Sequence, residues 1–97
     1  MTVLVGDVPT FERPMADMAQ AAKVVEEAAE VLAATIAWLD VTSDGTMRRE
    51  ELVEECCDVI QATCNLLAGL GVEDVTEEMG RVRAKNEARG RAYGKDA

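Results

Sequence analysis

Two stretches of this 97-residue chain gather carboxylates at helical spacing: Glu26-Glu27-Ala28-Ala29-Glu30 and Glu54-Glu55-Cys56-Cys57-Asp58. Glu27 and Glu30 are three residues apart, as are Glu55 and Asp58; Glu26 and Glu30 are four apart, as are Glu54 and Asp58. On a helix those spacings put the side chains on one face. Carboxylates gathered this closely repel one another and raise each other's pKa unless a cation neutralises them. Two such clusters facing each other would make a divalent-metal site. Mg²⁺ suits it first, as a hard ion that takes oxygen ligands, keeps several waters and meets phosphate. Mn²⁺ is also compatible, whereas the absence of histidine weighs against zinc. A glutamate-rich helix face is more often merely solvated. Here two clusters recur in consecutive helices, bordered by the small pairs Ala28-Ala29 and Cys56-Cys57, which leave room for close approach. Helical spacing alone does not choose between Glu26 and Glu27, or between Glu54 and Glu55.

A second group is basic. From Met15 to Leu70 there are eleven acidic and three basic residues, whereas from Arg81 to Ala97 there are six basic and two acidic. Cations near a helix C-terminus oppose its dipole, which accounts for Arg89 and Arg91. It does not account for Asn86 and Arg89 on the continuation of the stripe Val75, Met79 and Val82. Groups placed there can bind a phosphate through charge-assisted hydrogen bonds. An acidic body with a basic tail suits a metal ion on one side and a phosphate on the other.

Helices must position these groups. Pro14 fits a first helical turn, where its missing N–H costs nothing. The apolar residues Met15, Met18, Ala22, Val25, Ala29, Leu32, Ile36 and Leu39 then alternate spacings of three and four, which predicts a bundle-forming helix with that stripe as its seam. The turn from Asp40 to Gly45 breaks it, with Ser43, Asp44 and Thr46 available as N-caps. Leu52, Cys56, Val59, Thr63, Leu66 and Leu70 predict a second helix ending at Gly69 and Gly71. A short connection between two long helices implies an antiparallel hairpin. A third, shorter helix is expected from Asp74, capping the turn that carries Glu77. Gly90 and Gly94 are expected to loosen the chain after it. The domain organisation expected is an extended arm over residues 1–13, an all-α helical domain over 14–91 and a flexible tail over 92–97. A chain this short leaves much surface uncovered, so self-association is expected.

The net charge of -9 argues against nucleic-acid polymers and anionic membranes as partners. Cys56, Cys57 and Cys64 lack a metal or redox spacing and read as buried or half-buried thiols in a reducing compartment. The N-terminus lacks the features of a signal peptide, and no stretch approaches the ~20 apolar residues of a membrane span. A soluble, cytoplasmic protein is expected.

Three segments in order, Lys23-Val-Val-Glu-Glu-Ala-Ala-Glu-Val-Leu32, Glu51-Leu-Val-Glu-Glu-Cys-Cys-Asp-Val-Ile60 and Val82-Arg-Ala-Lys-Asn-Glu-Ala-Arg-Gly-Arg91, resemble the motifs of the MazG-like all-α nucleoside triphosphate pyrophosphohydrolases, relatives of the dimeric dUTPases and dCTPases. The resemblance implies metal ligands at Glu27, Glu30, Glu55 and Asp58, with Glu26 as an accessory carboxylate or water-activating base beside Glu27. It implies that Lys85, Asn86 and Arg89 meet the phosphates or the nucleotide. The activity implied is Mg²⁺-dependent hydrolysis of a nucleoside triphosphate to the monophosphate and pyrophosphate, by a homodimer or homotetramer in which a second subunit supplies part of the pocket. Trp38, near the end of the first helix, is a candidate for stacking on the base or for anchoring an interface. The rival reading is a non-catalytic acidic helical module whose apolar stripes serve only oligomerisation or interaction.

Overall fold

The computed structural model describes residues 1–40, 42 and 44–94. Among them are three helices and no strand: α1 (Met18–Trp38), α2 (Gly45–Gly69) and α3 (Thr76–Ala88). The all-α architecture is the one expected. α1 starts later than Pro14 suggests, because the Asp17 side chain accepts the Gln20 N–H at 2.9 Å and so caps a helix whose first residue is Met18. Asp44 caps α2 by accepting the Thr46 N–H at 3.0 Å; Ser43 lies outside the described residues. Arg48 reaches back from the first turn of α2 and donates at 3.0 Å to the Ala37 carbonyl, which also accepts the Asp40 N–H, so a cation sits at the C-terminal end of α1. The two helices form the expected antiparallel hairpin.

The seam of that hairpin differs from the expected one. The half-buried positions on α1 are Gln20, Ala21, Val24, Glu27, Val31, Ala34, Thr35 and Ala37, one step round from the large apolar stripe. Met18, Val25, Leu32, Ile36 and Leu39 all remain exposed. That seam carries Glu27 inward and leaves the larger stripe facing away from α2. On α2 the expected Leu52, Val59, Thr63 and Leu66 are half-buried, while Cys56 and Leu70 are exposed. Cys57 is also exposed and only Cys64 is half-buried, which corrects the reading of all three thiols as buried or half-buried.

Gly71, at φ +77°, ends α2: the Gly71 N–H bonds the Ala68 carbonyl and the Val72 N–H bonds the Leu67 carbonyl, the paired closure that a left-handed residue after a helix provides. Gly90, at φ +83°, closes α3 in the same way through Gly90 to Glu87 and Arg91 to Asn86, so it terminates the helix rather than loosening the chain. Asp74 does not begin α3. It accepts from both the N–H and hydroxyl of Thr76, at 2.9 and 2.6 Å, and the helix starts at Thr76. Among the described residues α3 packs against neither α1 nor α2. Of the expected tail, residues 95–97 lie outside the described residues.

The N-terminal arm has no regular structure but it is tied down. Gln61 donates to the Pro9 carbonyl at 2.9 Å, the Phe11 N–H donates to Asn65 Oδ1 at 3.1 Å, and the backbone of Met15 and Ala16 lies against Gly69. The arm therefore runs alongside α2 in the same direction before turning into α1. No helix of the described residues is long and apolar enough to cross a membrane.

Candidate active site

The hairpin brings Glu27 of α1 to Glu55 and Asp58 of α2, with one carboxylate oxygen of each lying within 4.8 Å of the others. The seam separates the adjacent pairs that spacing could not. The Glu27 side chain is 15% exposed and Glu26 67%; Glu55 is half-buried and Glu54 exposed. Glu30 is exposed and outside the three-residue group, but near enough for its charge to act on Glu55. Loss of solvent, then the charges of Asp58, Glu30, Glu27 and Glu54, push the Glu55 carboxyl above the usual glutamate range.

Oxygen ligands at about 2.1 Å from one Mg²⁺ lie at most about 4.2 Å apart. The three carboxylates are a small side-chain movement from that geometry, so the donor set fits a hard divalent ion. Lys23, one turn before Glu27, sits 3.0 Å from its carboxylate and 3.6 Å from that of Glu26. Its hydrogen bond to Glu27, then the charges of Glu27 and Glu26, raise the Lys23 pKa.

The remaining expected residues are not brought to this cluster within one chain. Trp38 lies eleven residues beyond Glu27, about 16 Å along the helix. Lys85 and Arg89 are exposed on the isolated α3 and at its C-cap. Asn86 is half-buried beneath the chain that follows it. Its Nδ2 donates to the Tyr93 hydroxyl at 3.0 Å, its Oδ1 accepts from Arg91 at 3.1 Å, and Arg83 stacks 4.8 Å from the centroid of the Tyr93 ring. Among the described residues the expected inward face of α3 therefore has no partner helix.

Beside the carboxylates is a cavity of about 120 Å³ lined by Phe11, Gln20, Lys23, Glu27, Asp58, Gln61, Ala62 and Asn65. It shares Phe11, Gln20, Lys23 and Asn65 with a second cavity of about 380 Å³ between the arm and the start of α1. Phe11, Gln20, Gln61 and Asn65 were not singled out by the sequence motifs. A signal for three of them was there, because Gln20-Lys23-Glu27 and Asp58-Gln61-Asn65 extend the carboxylate faces at steps of three and four.

The sequence pattern of the phosphoribosyl-ATP pyrophosphohydrolases matches residues 8–86. The chain belongs to that family. It is accordingly a pyrophosphohydrolase, a hydrolase acting on acid anhydrides, within the MazG-like superfamily that the motifs resemble. The range matched by the phosphoribosyl-ATP pyrophosphohydrolase pattern includes the tethered part of the arm and all three carboxylates of the cluster. It ends at Asn86, so Arg89 is beyond it. No curated protein and no solved structure matches the chain.

Proposed function

We propose that this protein hydrolyses a nucleoside triphosphate between its α and β phosphates, giving the monophosphate and pyrophosphate, with Mg²⁺ at the carboxylate cluster. The observation that carries the reading is the convergence of Glu27, Glu55 and Asp58 in a member of a pyrophosphohydrolase family. These three hold the ion, and Glu30 is the fourth carboxylate available to it. A bound Mg²⁺ supplies charge neutralisation on phosphoryl oxygens and lowers the pKa of a coordinated water; Mn²⁺ supplies the same chemistry. Glu26 stands outside the cluster and is assigned to accept the proton of the attacking water, with Glu27 beside it orienting that water. Lys85, Asn86 and Arg89 are assigned to the phosphates, where their donors match developing negative charge on the leaving pyrophosphate. They reach it in an assembly of more than one chain, because α3 touches neither helix of its own hairpin.

Self-association into a homodimer or homotetramer is part of this proposal. The exposed stripe Met18, Val25, Leu32, Ile36 and Leu39 is the surface it would cover. A nucleic-acid polymer or a membrane is not among the proposed partners of so acidic a chain. Phosphoribosyl-ATP is a candidate substrate beside the ordinary nucleotides, a reading that the family match supports. Product analysis on a panel of ribo- and deoxynucleoside triphosphates and phosphoribosyl-ATP tests the bond assignment. A nucleoside monophosphate with pyrophosphate is expected from at least one; a diphosphate with orthophosphate would show cleavage at the wrong anhydride and refute the assignment.

A further inference from the structure

The arm, the start of α1 and the second half of α2 form two adjoining polar, aromatic-walled cavities, of which the smaller borders Glu27 and Asp58 and the larger does not. Their features are set by hydrogen bonds that leave little freedom. Asn65 is only 3% exposed. Its Oδ1 accepts the Phe11 N–H at 3.1 Å and the Gln61 Nε2 at 3.2 Å. A backbone N–H can only donate, so the amide oxygen must face Phe11, and Nδ2 must point the other way. Among the described residues Nδ2 has no partner, yet no fully buried side-chain nitrogen or oxygen lacks one. This nitrogen is therefore reached from the cavity that Asn65 lines. Gln20 is held in a complementary sense. Its Nε2 donates to the Ala62 carbonyl at 3.0 Å, which leaves Oε1 as an acceptor with no partner among the described residues, beside the same cavities. Phe11 completes them, with a side chain left 66% exposed although its backbone is bonded to α2.

An aromatic face beside one open amide donor and one open amide acceptor is the chemistry that recognises a heteroaromatic ring with hydrogen-bonding edges. The cavities meet at Lys23, whose ammonium touches Glu27 of the cluster. At about 380 Å³ the larger one lies within the range of small-molecule sites. We infer that Phe11, Asn65 and Gln20 form a nucleobase subsite, in which the base lies against the Phe11 ring and its edge is read by Asn65 Nδ2 and Gln20 Oε1. This rests on the nucleotide reading of the cluster and assigns the other end of the same substrate. It replaces Trp38 with Phe11 as the stacking residue. The tether of the arm to Gln61 and Asn65 acquires a purpose, since it fixes the ring relative to the two amides.

Calorimetric titration of the full chain in Mg²⁺ tests the subsite, using the four common nucleoside 5′-monophosphates and, separately, inorganic pyrophosphate. Phe11→Ala keeps the backbone N–H and removes only the ring. Asn65→Asp keeps an acceptor for Phe11 and Gln61 and replaces the open donor with an acceptor. At least one monophosphate is expected to bind, and Phe11→Ala to weaken it about 10- to 100-fold, the usual worth of one base on an aromatic ring. Phe11→Trp should restore the affinity. Asn65→Asp should change the order of preference among the bases, and pyrophosphate affinity should stay within about twofold in all variants. Unchanged monophosphate affinity in both Phe11→Ala and Asn65→Asp would overturn the subsite while leaving pyrophosphate binding, and so the hydrolytic reading, intact. An equal loss for monophosphate and pyrophosphate would also overturn it, by showing that the arm merely supports the cluster. Binding of no monophosphate by the wild type would overturn it as well.

Discussion

At the scale of single residues, Glu55 states the chemistry most clearly. Its carboxyl is held above the ordinary glutamate value of 4.5 by lost solvent and then by four neighbouring carboxylates. The folded metal-free chain thus holds this proton more tightly than the unfolded chain does. Stability from this group is full at low pH and is lost as pH rises past 4.5 and through the raised value. Glu55→Gln removes that loss. In a chelator at neutral pH its melting temperature is expected at or above that of the wild type, with a flatter decline from acid to neutral pH; marked unfolding would show the group to be structural. The same variant, and Asp58→Asn, should lower the rate of pyrophosphate release at least about a hundredfold, since even partners one step removed from a metal cost 10- to 100-fold. The motif residues were legible in the sequence because their spacing is the helical repeat. The choice between neighbours was not, because only the seam turns Glu27 and Glu55 inward while leaving Glu26 and Glu54 in solvent.

At the scale of elements, three helices, their order and the hairpin followed from apolar periodicity and from Asp44 and Gly71 at their ends, whereas the closure of α3 by Gly90 was not read. The seam was misplaced by one step. α1 carries two stripes, and the larger apolar one, through Val25, Leu32 and Ile36, is not the one that meets α2. Periodicity reports that a face is destined for burial, but not which neighbour buries it. That residues 1–13 carry no regular element was legible, but their attachment to α2 was not. That attachment runs through Gln61 and Asn65, polar residues more than fifty positions away in sequence. Gly69 marks the tightest point of that attachment, where any side chain would run into the backbone of Met15 and Ala16. Gly69→Ala should therefore lower stability by about 1–3 kcal/mol through overpacking, measured by urea unfolding. A variant as stable as the wild type would mean that the arm does not pack there.

For the whole molecule, the decisive quantities are surface and charge. A compact monomer of this mass exposes about 5,400 Å², whereas the accessible surface here is 7807 Å². The radius of gyration is 15.8 Å, against about 13 Å for a compact chain of this length. The unpaired α3, the bare stripe on α1 and the exposed start of the arm all add to that surface. A double substitution Leu32→Glu with Ile36→Glu, placing charges where two 63%-exposed apolar side chains stand, should raise the dissociation constant of the oligomer at least about a hundredfold. Sedimentation equilibrium measures it, and a wild type that stays monomeric at high concentration would contradict the proposed assembly. The role of the carboxylate cluster as a metal-dependent hydrolytic centre is tested by pyrophosphate release from the nucleotide panel with Mg²⁺ and with the metal chelated. Release from at least one nucleotide, dependent on Mg²⁺ or Mn²⁺, is expected; absence of release from every nucleotide at high protein concentration with either metal would contradict it.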